Sequence, residues 1–199
     1  MATVDWIANP MQAGAMKPAL GGDDEDRRSE SALVRAAQGG SEEALETLFR
    51  RHWRDAHRAA FLIVRDAGAS EDIAQEAFLA AIRALDRFDR RRPFRPWLHR
   101  IVVNRAIDHA RARALRREVH EEVAGETVAA PCSSELDDDL ISALAELGVE
   151  QRAVIVLRYL FDYTPGEISR ILDIPRGTVN SRLRRGLDQL AHRLVEEAT

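Results

Sequence analysis

Residues 163–194 read "YTPGEISRILDIPRGTVNSRLRRGLDQLAHRL". Thr164 and Glu167 stand three apart, the spacing of a capping box, and Pro165 occupies the favoured first helical position. This predicts a short helix with Ile168, Ile171 and Leu172 facing inward. Residues 173–175, "DIP", then read as a tight turn, with Pro175 opening a second helix. On that helix Val179, Leu183, Leu187, Leu190 and Leu194 follow a 4-4-3-4 spacing and form one apolar stripe. At about 100° per residue, Thr178, Ser181 and Arg185 fall on the other side, flanked by Arg182 and Arg184. A short helix, a three-residue turn and a helix with a basic outer face describe a helix-turn-helix. Residues near the start of its second helix would enter a DNA major groove. The candidates there are Arg176, Thr178, Asn180, Ser181, Arg182, Arg184 and Arg185: arginine for phosphate or guanine, the others for base edges. An ordinary amphipathic hairpin with a solvated face is the competing reading. The absence of any acid on that face before Asp188 argues against it.

The rest of the chain narrows the setting. Its 199 residues allow one ordinary domain or two small ones. No apolar run approaches the roughly 18–20 residues needed to cross a bilayer, and the N-terminus lacks the basic start and apolar core of a signal peptide. A cytoplasmic protein without membrane insertion is expected. The single cysteine, Cys132, excludes an internal disulfide and a multi-cysteine zinc site. The six histidines are scattered, so no metal or cofactor is expected. The net charge of −4 hides a dipolar chain. From Arg83 to Arg117 there are 12 arginines against Asp86, Asp89 and Asp108, a net of +9. From Glu118 to Glu150 there are ten acids and no Lys or Arg, a net of −10. A basic block suggests a polyanion partner, whereas an acidic one is usually a solvated spacer.

Periodicity divides the chain further. Residues 1–28 are small, Gly/Pro-containing and finally acidic, which suggests a disordered extension. Helical spacing runs with breaks over 29–117, where Ser41 is a good N-cap with Glu42 and Glu43 in its first turn. Residues 66–70, "DAGAS", break that helix, and Ser70 reads as the cap of the next. Pro93 and Pro96 precede a long helix from about Trp97. Residues 118–136 lose periodicity and read as an acidic linker, and 137–199 as a second helical unit. With no strand-like alternation anywhere, the expected fold is all-α, two small helical domains joined by a flexible linker.

The stretch "SEDIAQEAFLAAIRAL" (70–85) buries Ala74, Ala77, Phe78, Ala81 and Leu85. The opposite face then carries Asp72, Gln75, Glu76, Leu79 and Arg83. A leucine centred in an acidic and amide strip suits a protein interface, an apolar anchor inside a charged rim, although single exposed leucines are as common on ordinary solvated surfaces. Within "RRRPFRPWLHRIVVNRAIDHARAR" (90–113), eight of 24 residues are arginine. Arg100, Asn104, Asp108 and Arg111 lie within roughly 80° of one another on the helix, with Trp97 at the edge. Asp108 reads as an intrahelical partner of Arg105 or Arg111. Phe94 and Trp97 read as core beneath the strip rather than stacking platforms.

"SEDIAQEAF" resembles the D-x-x-Q-E segment of bacterial sigma factors, and "FRPWLHRIVVNRAIDHARAR" resembles their adjoining promoter-melting segment. "IPRGTVNSRLRRG" resembles the helix-turn-helix of the fourth sigma domain. With no third domain between them, the resemblance is to the extracytoplasmic-function (ECF) group of the sigma-70 family. Ser70, Pro165–Gly166 and Asn180 depart from the family pattern.

The resemblance implies a sigma domain 2 over 29–117 and a sigma domain 4 over 137–199. It implies core RNA polymerase as partner, its clamp coiled coil meeting Asp72, Gln75, Glu76, Leu79 and Arg83, and its flap meeting the chain as well. It implies promoter DNA as a second partner. At the −10 element Asn104 would read bases and Arg95, Arg100, Arg105, Arg111 and Arg113 would hold the backbone. At the −35 element the second helix of the helix-turn-helix would bind. The loop 88–93 could receive a flipped base. No catalytic step is implied, so the chain is not an enzyme, and an anti-sigma factor is expected as a further partner. Residues 118–136 are either a plain tether or a polyanion mimic in the polymerase RNA channel. The acids that offset the arginines are expected in this linker and in the polymerase-facing strip. The alternative is a stand-alone helix-turn-helix regulator, which would leave the Asp72–Leu79 strip unused.

Overall fold

The computed structural model describes residues 22–120 and 138–197, with side chains over 29–116 and 141–193. Among them every regular element is helical. In chain order these are α1 (Gly22–Gln38), α2 (Glu42–Val64), α3 (Ala67–Ala84), a 3₁₀ turn (Leu85–Arg87) and α4 (Phe94–His120). The C-terminal unit follows with α5 (Asp138–Glu146), α6 (Val149–Ile155) continuing as a π turn (Val156–Leu160), α7 (Pro165–Leu172) and α8 (Arg176–Glu197). The linker residues 121–137, with Cys132, and the N-terminal residues 1–21 lie outside the described residues.

Local chemistry explains most of the boundaries. The Ser41 hydroxyl accepts from Ala44 N, and Glu42 and Glu43 sit in the first turn of α2, where acids suit the helix dipole. That helix stops at Arg65, whose backbone turns left-handed at φ 60. The break before α3 is shorter than expected and its cap is a different residue. Asp66, not Ser70, is the cap, accepting from Ala69 N at 3.0 Å. Ser70 is fully buried inside the helix, where its hydroxyl donates to Ala67 O at 2.8 Å and lies 3.3 Å from His57 Nε2. Both residues are good caps by type; packing of Ser70 against α2 chose between them. Likewise α4 starts at Phe94 rather than Trp97, because Pro96 lies in the first turn, where a missing N–H leaves no bond unmade. Helix α1 begins at Gly22, inside the stretch expected to lack order, and α4 extends through His120 into the expected linker.

The core of α1–α4 is built on the small faces of α2 and α3. Ala56, Ala59, Ala60, Ala74 and Ala77 are fully buried, letting helices approach closely around Ile63, Phe78, Leu98 and Val102. Phe88, Phe94 and Trp97 pack as a ring cluster, with centroids 4.6–5.8 Å apart, beneath the loop 88–93. In the second unit Leu157, Ile168, Val179 and Leu190 form the centre. The apolar cores are continuous between the units, since α4 packs on α6 and α7, and α2 on α6.

Candidate nucleic-acid interface

The first candidate surface is on α3. With Ile73, Ala74, Ala77, Phe78 and Ala81 turned inward, Asp72, Gln75, Glu76, Leu79 and Arg83 are all exposed. Leu79 is 52% exposed, a large apolar group standing among acids and amides. The strip is also more apolar than its pattern suggests, because Ile82 is 46% exposed and shares a shallow recess with Phe49. Ile82 stands three residues after Leu79, a spacing that could have revealed it; Phe49 comes from α2 and could not be placed from sequence. Glu76 also bonds Arg105 Nη1 at 2.7 Å, so this strip touches the next one.

The second surface is the arginine-bearing face of α4. Arg95 pairs with Asp55 at 2.9 Å and Arg105 with Glu76. Arg111 pairs with Glu150 at 2.6 Å and reaches Asp108 at 4.0 Å, while Arg113 pairs with Asp66 at 3.3 Å. Arg100 lies 3.7 Å from Asp173. Asn104 is half-buried on the same helix. The Arg111 hydrogen bond holds the Glu150 carboxyl below the usual carboxylate range.

Beside this face lies a recess of about 600 Å³ between α1 and the loop 88–93. Val34 and Phe94 contribute to its wall, and Arg35, Arg90, Arg91 and Arg92 surround it. Its loop is templated by α1. One Glu30 oxygen accepts from Phe94 N at 3.1 Å, and the other lies 3.0 Å from His52 Nε2. Burial opposes ionisation of Glu30, but the hydrogen bonds from His52 and Phe94 N outweigh it and leave its pKa lowered. Ser31 Oγ donates to Arg90 O at 3.4 Å, and Gln38 donates to Leu85 O and Phe88 O at 2.9 and 3.0 Å. Sequence reading missed Glu30, Ser31 and Gln38, since their partners lie 47–64 residues away.

The third surface is the outer side of α8. Thr164 Oγ1 accepts from Glu167 N, and the Glu167 carboxylate accepts from Thr164 N at 2.8 Å, closing the expected capping box. Asp173 turns left-handed at φ 55, and Ser169 Oγ donates to Ile174 O at 2.6 Å, which sets the turn into α8. Val179, Leu183 and Leu190 are buried. Arg176, Asn180, Arg184 and Arg185 are exposed, with Thr178, Ser181 and Arg182 half-buried beside them. The Ser181 hydroxyl already donates to Thr178 O at 3.0 Å. Gly186 lets α8 approach α6, because a Cβ there would stand 2.6 Å from Ile155 Cδ1.

Among the described residues an all-helical fold carries a helix-turn-helix, an arginine-rich helix and an acidic strip around an exposed leucine, the build of a DNA-reading protein. The Sigma-70 region 2 family matches residues 48–116, and the Sigma-70 region 4 family matches residues 137–190. The chain is 35% identical over 181 residues to the ECF RNA polymerase sigma factor SigM of Mycobacterium tuberculosis, covering 89% of this chain and 90% of that one. It is 31% identical to the ECF RNA polymerase sigma factor SigW of Bacillus subtilis, covering 81% of this chain and 94% of that one. Among solved structures it resembles CnrH, seen in complex with the cytosolic domain of CnrY. The TM-score is 0.64 at 29% identity, covering 85% of this chain and 99% of that one. The fold is also that of RpoE from Bartonella quintana, solved with the anti-sigma factor NepR (TM-score 0.65, 23% identity, 75% of this chain and 95% of that one). The chain belongs to the ECF sigma factors of the sigma-70 family. It is an alternative sigma factor that directs transcription initiation. Among the described residues no helix is long and apolar enough to cross a membrane.

Proposed function

We propose that this sigma factor meets the clamp of core RNA polymerase with Asp72, Gln75, Glu76, Leu79 and Arg83 of α3. Residues 29–117 would then act as the unit that recognises and melts the −10 element. Asn104 reads base edges there, and Arg95, Arg100, Arg105, Arg111 and Arg113 hold the backbone. The recess walled by Arg90–Arg92 is of a size for a flipped base. Residues 137–199 act as the −35 unit through Arg176, Thr178, Asn180, Ser181, Arg182, Arg184 and Arg185, with the polymerase flap as a further contact. The protein works by binding alone, using base capture to shift a duplex-opening equilibrium, and does so in the cytoplasm. CnrH and RpoE are known in complexes with the cytosolic domain of CnrY and with NepR. An anti-sigma factor is accordingly proposed as a partner here.

The observation that carries this reading is Leu79, 52% exposed at the centre of an acidic strip. A stand-alone regulator has no use for it. Leu79→Asp should lower affinity for core polymerase by about 30-fold or more, the loss expected of an interface hot spot, with helicity unchanged. Unchanged affinity in a binding titration overturns the assignment.

A further inference from the structure

We propose that Glu30 and Gln38 of α1 are positioning residues for base capture: they clamp the two ends of the loop 88–93 and thereby set which base the recess prefers, without touching DNA. The clamp stands on its own contacts; its consequence for base choice rests on the flipped-base role given to the recess above.

Helix α1 meets the loop along a single stripe. Glu30, Val34 and Gln38 are spaced by four residues, so they share one face of the helix over about 12 Å. Val34 anchors that face, buried at 1% exposure. At one end Gln38 Nε2 donates to Leu85 O and Phe88 O at 2.9 and 3.0 Å, which fixes the chain where it leaves α3. At the other end one Glu30 oxygen accepts from Phe94 N at 3.1 Å. Helix α4 needs that acceptor. Phe94 is its first residue, and Pro93 before it has no side-chain oxygen with which to cap a helix. Glu30 therefore caps α4 from another helix, and its charge suits the helix N-terminus. The second Glu30 oxygen lies 3.0 Å from His52 Nε2, and the His52 ring packs 5.3 Å from that of Phe94. Between the two ends Ser31 Oγ donates to Arg90 O at 3.4 Å.

The loop's own bonds shape it without placing it. Asp89 O accepts from Arg92 N at 2.9 Å and Asp89 Oδ1 from Arg91 N at 3.1 Å, which closes a local turn. Where that turn sits on the core is left to α1 and to the packed rings of Phe88 and Phe94. The turn carries Arg90 and Arg92, which line the recess together with Arg35 of α1. All three are exposed, and among the described residues no carboxylate pairs with them, whereas Arg91 is held by Asp89 at 3.0 Å. Open guanidinium groups distinguish one base from another only when held to about 0.5 Å, a tolerance that supporting bonds have to supply. Although Glu30 also lines the recess, both its oxygens are engaged. It acts on a base through the loop.

The test compares Glu30→Ala, Glu30→Gln and Gln38→Ala in the full chain. In the free protein, hydrogen exchange at the amides of 88–94 should quicken about tenfold or more in both alanine variants. Glu30→Gln should keep it slow, because its amide oxygen still accepts from Phe94 N. Each variant is then bound to core polymerase and scored for transcript starts on a library varied at every −10 base. The double variant Arg90→Ala, Arg92→Ala marks the position that the recess reads. There the two alanine variants should each lose base preference by about fivefold or more, and Glu30→Gln should retain it. Positions read by Asn104 should not move. Unchanged exchange in both alanine variants overturns the proposal, as does fast exchange with preference intact at the marked position. A preference switched by Glu30→Gln while exchange stays slow makes Glu30 a direct base reader and overturns it too. Should Glu30→Ala lose helicity, Gln38→Ala is read by the same criteria. If the double arginine variant moves no position, fast exchange still upholds the clamp, and the flipped-base role of the recess falls instead.

Discussion

The two candidate DNA-binding surfaces use the same residue in opposite states. On α4, Arg95, Arg100, Arg105, Arg111 and Arg113 are each held by a carboxylate, on Asp55, Asp173, Glu76, Glu150 and Asp66 respectively. On α8, Arg176, Arg184 and Arg185 are exposed, and among the described residues no carboxylate pairs with them. Counting charge along the chain makes the first surface look the stronger polyanion binder. Folding neutralises part of it with Asp55 of α2, the Asp66 cap, Glu76 of the α3 strip, and Glu150 and Asp173 of the C-terminal unit. The lesson is that a basic block reports charge present, whereas binding depends on charge not already spoken for. An internal partner must be displaced before a phosphate can replace it.

The contrast can be broken most strongly through the contact that sustains it. Arg152→Ala leaves Ile63, Ala145 and Leu147 carbonyls without their donor and should cost about 3 kcal/mol in urea denaturation. Burial lowers the Arg152 pKa only to about 10, so the group is charged at neutral pH and its loss is that of charged hydrogen bonds. Acid should act on the same contact. Burial, reinforced by Arg95 and His52, pushes the His99 pKa down to about 3, so the folded protein keeps the ring neutral. An unfolded histidine titrates near about 6.5. Stability is therefore complete above that pH and declines as pH falls below it. The decline reaches about 2 kcal/mol by pH 5, at about 1.4 kcal/mol per pH unit. Thermal denaturation from pH 7 to 5 should show this slope, and His99→Gln should flatten it.

Smaller effects sharpen the comparison between the readers themselves. Asn104→Ala should lose about 1–2 kcal/mol of discrimination at the −10 element, measured as promoter-library selectivity of the polymerase complex. Arg184→Ala should instead weaken −35 duplex binding across sequences and reduce the salt slope by about one unit. The least effect is expected at Arg105–Glu76, where the side chains are 39% and 64% exposed. A double-mutant cycle there should give about 0.5 kcal/mol or less. A larger coupling would mean that the polymerase strip and the −10 face are energetically joined.

What could be read from the chain alone was whatever depends on neighbours three or four residues apart. The Ser41 cap, the Thr164–Glu167 box, the apolar stripe of α8 and the exposed Leu79 are all of that kind, because a helix brings those positions together by its own geometry. Sequence could not choose between Asp66 and Ser70 as a cap, since both side chains are suitable and the decision lay with His57 on another helix. Nor could it show that Glu30 holds the loop before α4, that His99 meets Tyr163, or that Glu150 meets Arg111. Those partners are 39–64 residues apart. The amino-acid order thus determined an all-helical sigma factor and named its candidate binding faces. Only the tertiary structure decided which of those faces is open, because pairing across the fold depends on where helices pack and leaves no local trace.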